Sequence, residues 1–175
     1  MVRSDSNKIG IFGGSFDPPH KGHLEISKIA IERLSLNKLY WCVTEKNPFK
    51  NKTLFSLSRR IKKSKNITKH IKKISIKHFD KKIKSNNTID LVRYLNKTNK
   101  RNIFFLIIGS DNLINFHKWK EWKLLAKLIE IVVFSRKDYD AKAKKSVIVK
   151  KVKKITFIKN KQINISSTKI RKELS

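Results

Sequence analysis

Cysteine is almost missing from this chain: Cys42 is 1 residue in 175. No disulfide can form within it, which fits a reducing compartment. Cys42 lies in an apolar run and reads as a small buried hydrophobe. Carboxylates are also scarce, with 13 Asp and Glu against 43 Lys and Arg and a formal charge of +30. No run approaches the ~18 apolar residues of a membrane span. The first residues, Met1 to Lys8, are polar and carry no stretch of signal-peptide type. These absences predict a cytoplasmic protein with no membrane partner.

Glycine and proline are sparse and unevenly placed. Of 5 glycines, 4 lie between Gly10 and Gly22 and the last is Gly109, while Pro18 and Pro19 are two of the 3 prolines. Residues that relax or lock the backbone are thus concentrated where an apolar run ends, at Ile9 to His23. His20 and His23 follow where helical periodicity begins, a spacing that puts both rings on one face near a helix N-terminus. A strand, a glycine-rich loop and a helix start aim backbone N–H groups and the positive end of a helix dipole at one spot, a place for anions such as phosphate. The plainer reading is a tight turn at Gly13 and Gly14, with the two histidines capping a helix or lining a core.

The length suits a single domain over residues 1–175 with one substantial core. A field of +30 ordinarily points to nucleic acid or an anionic surface. Here Lys, Ile and Asn are enriched along the whole chain with no separate basic tail, the pattern of compositional drift with solvated lysines. No specific nucleic-acid partner is expected, and a homo-oligomer stays open.

Short apolar runs alternate with amphipathic ones, which predicts an α/β fold: a Rossmann-like open parallel sheet with helices on both faces. Strands are expected at about Lys8 to Phe12, Leu39 to Thr44, Ile71 to Lys77, Asn102 to Ile108, Ile131 to Phe134 and Lys154 to Ile158. Helices are expected over Gly22 to Leu34, Thr88 to Leu95 with Thr88 as N-cap, and Lys120 to Leu128. Arg59 to Lys84 shows weaker order, and Ser135 to Lys151 gives little to assign. Ligands of open parallel sheets bind beyond the carboxyl ends of the strands, where each candidate motif falls.

Gly13-Gly14-Ser15-Phe16-Asp17-Pro18-Pro19-His20-Lys21-Gly22-His23 resembles the signature of the nucleotidyltransferases with the His-x-Gly-His motif. Ile165-Ser166-Ser167-Thr168-Lys169-Ile170-Arg171 is similar to their second signature. Thr88-Ile89-Asp90, Gly109-Ser110-Asp111-Asn112-Leu113 and Trp119 resemble the nicotinate-nucleotide adenylyltransferase branch. That branch transfers the AMP moiety of ATP to nicotinate mononucleotide in NAD biosynthesis; no Cys, His or carboxylate cluster has protein-metal spacing, so Mg2+ is expected to arrive on the ATP phosphates.

The resemblance implies catalytic roles for His20, His23 and Arg171 on the ATP phosphates. It implies ATP contacts from Gly13, Gly14, Ser15, Phe16, Gly109, Asp111, Ser166, Ser167 and Thr168, and mononucleotide contacts from Lys50, Thr88 and Trp119. Trp122 reads as core, and Asp111 as a ribose contact or a helix N-cap. Two departures stand out. Ser135-Arg136-Lys137-Asp138 replaces the Arg-Pro-Gly expected after the fifth strand, which suggests a lost rigid turn, and the chain ends soon after Arg171, which leaves open how the last helix is anchored. The rival readings are a phosphopantetheine adenylyltransferase, more distantly a cytidylyltransferase, and a basic nucleic-acid-binding protein on this scaffold.

Overall fold

The computed structural model describes residues 6–46, 53–152, 154–160 and 166–174. Its frame is a six-stranded, wholly parallel sheet in the order β3-β2-β1-β4-β5-β6. The strands are β1 (Lys8–Gly14), β2 (Lys38–Val43), β3 (Ile74–Lys77), β4 (Ile103–Gly109), β5 (Glu130–Phe134) and β6 (Ile155–Ile158). All six sequence expectations therefore stand, with one shortened. Ile71 N–H donates to Thr68 O and Ile74 N–H to Ile71 O, so Ile71 to Lys73 close a turn and only Ile74 onward joins the ladder.

Nine α-helices are present among the described residues: α1 (Lys21–Arg33), α2 (Leu57–Thr68), α3 (Asp80–Ile83), α4 (Thr88–Thr98), α5 (Ser110–Ile114), α6 (Trp122–Leu128), α7 (Asp140–Lys144), α8 (Val147–Lys151) and α9 (Ser167–Leu174), with a 3-10 turn at Phe116–Lys118. Thr88 is the first residue of α4 and Asn87 is its N-cap, so the cap falls one position earlier than the sequence suggested. Gly109, not Asp111, caps α5. Sequence periodicity passed over α2, α3, α7 and α8. In α2 the apolar Leu57, Ile61 and Ile67 are diluted by the buried Arg60, Ser64 and Thr68. The other three span four or five residues each, too short for a 3.6-residue period to emerge.

Strand alternation sends successive side chains to opposite faces. Ile9, Ile11, Phe104, Leu106, Ile108, Ile131 and Val133 pack with α4, α5, α6 and α8. Phe12, Leu39, Trp41, Val43, Phe105, Ile107, Val132 and Phe134 form a second layer with Ala30 of α1 and the apolar side of α2. Central strands covered on both faces explain why these runs are nearly all apolar. Cys42 is buried as expected, and burial pushes its thiol up to about 12, which keeps it protonated and inert. No described helix is long and apolar enough to cross a membrane.

Ile131 has no exposed surface and sits at the centre of the first layer. Ile131→Ala is expected to cost about 2 to 5 kcal/mol through lost burial and an incompletely collapsed cavity, read as a lowered urea midpoint at unchanged slope.

Candidate active site

β1 and β4 are neighbours in the sheet, yet the chain leaves β1 toward β2 and leaves β4 toward β5. Their carboxyl ends thus form the topological switch point, where the following loops diverge and leave a crevice. A cleft of about 650 Å³ opens there. Its wall includes ten of the residues singled out by sequence: Gly13, Gly14, Ser15, Phe16, His23, Thr88, Gly109, Asp111, Trp119 and Ser167. His20, Ser166, Thr168 and Arg171 lie beside the cleft rather than on its wall. Lys50, with its surrounding Asn47-Pro48-Phe49 motif, lies outside the described residues.

The first loop turns without any glycine of positive φ among the described residues. The left-handed position is Phe16, with φ 47°, a conformation that is costly for a bulky side chain and survives only where packing enforces it. The enforcement is visible. The Phe16 ring is 2 % exposed, stacks on Trp41 at 4.7 Å and 11°, and meets Phe12 edge-on. Glycine matters instead for space. A Cβ at Gly13 would meet no atom within 4 Å, so the bare backbone faces open cleft, whereas a Cβ at Gly109 would collide with Asp111 and Arg136.

His20 is the N-cap residue of α1. Its backbone N–H donates to His23 Nδ1 at 3.2 Å, which places the His23 proton on Nε2. The two rings stack at 3.8 Å, and His23 also packs against Phe16 and Trp41. His20 is buried, with Nδ1 unpartnered. Burial, reinforced by the positive charge of Arg136, lowers its pKa from 6.5 to about 4. It is therefore a neutral imidazole at pH 7, so any hydrogen bond it donates comes from a neutral N–H. The helix-cap reading and the anion-site reading of this pair are compatible, because the cap is what orients the His23 ring.

Arg136 is the wall residue to which the sequence reading gave no role. Its Nη1 lies 3.3 Å from Asp111 Oδ2, and its backbone N–H is held by Ser110 Oγ at 3.0 Å and Asp140 Oδ1 at 3.1 Å. Burial tends to raise the Asp140 pKa, but hydrogen bonds from Ser110, Ser135 and the Arg136 backbone outweigh it and leave it below its ordinary value. The rigid turn thought lost with Arg-Pro-Gly is replaced: Tyr139 N–H donates to Arg136 O and Asp138 takes φ 70°. Asp can adopt this left-handed conformation more readily than most residues. The surviving arginine after the fifth strand was the available signal.

Trp119 lines the cleft with one face engaged, stacked on Phe116 at 4.8 Å. Trp122 packs against the core as expected. At the other end, Ser166 Oγ accepts Lys169 N–H, so this serine caps α9. Ser167 Oγ donates to Pro18 O at 2.9 Å, and Arg171 Nη1 donates to Asp17 O at 2.6 Å while Nη2 reaches Thr168. These bonds cross 149 and 154 residues of chain and answer how the last helix is anchored.

Among the described residues, no group of three or more His, Cys, Asp or Glu has the spacing to hold a metal ion. Around the glycine loop stand imidazoles, hydroxyls and the Arg136 guanidinium, while the nearby carboxylates of Asp17, Asp80 and Asp111 are each engaged by protein donors, which leaves a set of donors suited to anions.

A parallel sheet with an anion-suited cleft at its switch point defines a nucleotide-binding α/β protein. The chain belongs to the cytidylyltransferase-like family, whose model matches residues 11–173. It is 48 % identical over 180 residues to the "Probable nicotinate-nucleotide adenylyltransferase" of Pelagibacter ubique, covering 98 % of this chain and 99 % of that one. A relative of the same name from a Ruegeria species is 37 % identical over 73 % of this chain and 67 % of its own. The fold matches Plasmodium falciparum nicotinic acid mononucleotide adenylyltransferase complexed with APC at a TM-score of 0.81 and 20 % identity, over 97 % of this chain and 84 % of the other. The same enzyme complexed with NaAD aligns at 0.76.

The neutral state of His20 has a sign that can be tested. Its pKa is depressed in the folded chain, so the unfolded chain binds the proton more tightly and stability falls as pH drops from 6.5 toward 4. The span corresponds to about 3 kcal/mol. Unfolding free energies across this window are expected to fall less steeply for His20→Asn than for the parent chain.

Proposed function

We propose that the protein transfers the AMP moiety of ATP to nicotinate mononucleotide, giving nicotinate adenine dinucleotide and pyrophosphate. The observation that carries this reading is the convergence of the two signatures, with Ser167 and Arg171 bonded to the Pro18 and Asp17 carbonyls beside the cleft. The full-length relative at 48 % identity supports the choice of acceptor.

In this reaction an oxygen of the mononucleotide phosphate attacks the α-phosphorus of ATP. A new P–O bond forms, the bond to the bridging oxygen breaks, and its electrons leave with pyrophosphate. The attacking phosphate has a second pKa of about 6 and is already largely dianionic near pH 7. No general base is needed. The chain's work is to hold two mutually repelling anions in line and to stabilise charge on the transferring and leaving groups.

The glycine loop presents backbone N–H groups, and His23 and His20 supply imidazole N–H donors. Arg136 adds positive charge on the wall, and Arg171 is the candidate clamp for the leaving phosphates. Asp111 accepts from ribose hydroxyls. Trp119, backed by Phe116, offers its other face to the pyridine ring, with Thr88 at the helix start near the ring's carboxylate. Lys50 is assigned to the mononucleotide phosphate by the resemblance. Magnesium enters as part of the nucleotide substrate, bound to ATP phosphates and retaining waters.

Purified protein with magnesium and ATP is expected to release pyrophosphate with nicotinate mononucleotide. Release with phosphopantetheine instead, or with CTP in place of ATP, would transfer the chain to another activity; silence together with salt-sensitive RNA binding would favour a binder. His23→Ala is expected to lower kcat about 100-fold or more, as for loss of a transition-state donor. Unchanged turnover would remove His23 from the chemistry. Trp119→Ala is expected to raise KM for the mononucleotide about tenfold with little change for ATP, the cost of one aromatic stack.

A further inference from the structure

Arg60 is a charged residue in the first turn of the lysine-rich α2, yet it is 1 % exposed. Burying a guanidinium is unfavourable unless its donors are satisfied, and here they are. Nη1 donates to Ser15 O at 2.6 Å and Thr44 O at 2.7 Å, Nη2 to Glu45 O at 3.0 Å, and Nε to Phe55 O at 3.1 Å. One rigid fork therefore joins three separate pieces of chain: the glycine loop after β1, the segment leaving β2 and the segment entering α2. Burial lowers the Arg60 pKa, while the carboxylates of Asp17, Glu45 and Asp80 pull the other way.

Asp17, 2 % exposed, makes the reciprocal attachment. Its two oxygens accept the backbone N–H groups of Leu54 at 2.7 Å and Phe55 at 2.9 Å. The flanks of the stretch that carries Lys50 are thus tied to the loop that carries His20, through one buried cation and one buried anion. Neither Arg60 nor Asp17 lines the cleft, and the charged group of each is taken up by backbone partners.

We infer that Arg60 and Asp17 are positioning residues that hold residues 44–46 and 53–56 in register with the His20 loop, and so fix the cleft wall that includes Thr44 relative to the glycine loop. This rests on the proposed transfer reaction, in which the glycine loop serves one nucleotide and the cleft wall that includes Thr44 and Thr88 serves the other, Lys46 O being bonded to Asn86 just ahead of Thr88. The expected signature is a defect in kcat rather than in binding, because each substrate keeps its own contacts while their mutual placement is lost. Misplacement of reacting groups by about 1 Å costs on the order of 100-fold.

Two measurements on the same variants test this. Arg60→Lys keeps the charge but replaces a planar fork with a compact ammonium that cannot span four carbonyls. Asp17→Asn keeps the size but sets an amide N–H against a backbone N–H. In both, amide exchange over residues 44–46 and 53–56 is expected to accelerate about tenfold or more while β4 and β5 keep their protection, as in a local opening. kcat is expected to fall about 100-fold, with both KM values within about threefold. Unchanged exchange at these segments would overturn the tether. Accelerated exchange with unchanged kcat, or a rise in KM alone, would overturn the positioning role. Should Arg60→Lys fail to fold, Asp17→Asn decides. If the parent chain itself does not turn over nicotinate mononucleotide, the proposed reaction fails, and exchange in the two variants still decides the tether.

Discussion

β1 is hydrogen-bonded in parallel on both sides, to β2 from Ile9 through Gly14 and to β4 from Lys8 through Phe12. Parallel neighbours require crossover connections, and the crossovers from this central pair depart to opposite sides of the sheet. The loops after Gly14 and Gly109 must therefore separate, and whatever they carry faces a common gap. Both strands carry glycine at that edge, Gly13 next to the end of β1 with no neighbour where its Cβ would be and Gly109 at the end of β4 with no room for one. The chemistry sits on backbone that the sheet has already fixed, and the surrounding side chains adapt to it.

The electrostatics of the gap follow from a chain with few carboxylates. Asp111 is paired with Arg136, and Asp17 accepts two backbone N–H groups and lies 3.9 Å from Arg171. These two acids are thereby offset, and the site presents donors. Burial, with the charge of Arg136 behind it, keeps His20 neutral. The positive character that an anion meets comes from guanidinium groups, N–H dipoles and the start of α1. Such fixed dipoles need no reorganisation when charge develops. The surplus lysines supply a long-range field that steers anions inward but cannot orient them.

The alternation of apolar runs made the sheet legible, because strands covered on both faces are apolar almost throughout, as Phe104 to Ile108 and Ile131 to Phe134 are. The cleft residues were legible through their resemblance and because Gly13 and Gly109 stand at the carboxyl ends of strands and His23 in the first turn of α1. Arg60 was not legible: one arginine among many basic residues carries no mark of burial, and its partners are carbonyls, which every residue has. Asp17 was hidden for the same reason, since its acceptors engage the N–H groups of Leu54 and Phe55 and not a side chain. Arg136 was legible only as the arginine that survives of Arg-Pro-Gly, without a role, because Asp138 and Asp140 rebuild the turn with different chemistry.

The two signatures, distant in sequence, act as one object because the second is docked on the first by polar bonds. Ser167 and Arg171 bond to the carbonyls of Pro18 and Asp17, and those carbonyls stand where they do because the Asp17 side chain is fixed below them by Leu54 and Phe55. The position of α9 thus depends on the same buried carboxylate that ties down the chain entering α2. On the proposed reaction, a leaving pyrophosphate would compete with the Asp17 carbonyl for Arg171, replacing a neutral acceptor by a charged one and gaining the stronger bond. The guanidinium is held near the cleft before any nucleotide arrives, so most of the cost of ordering its side chain is met in folding rather than in binding.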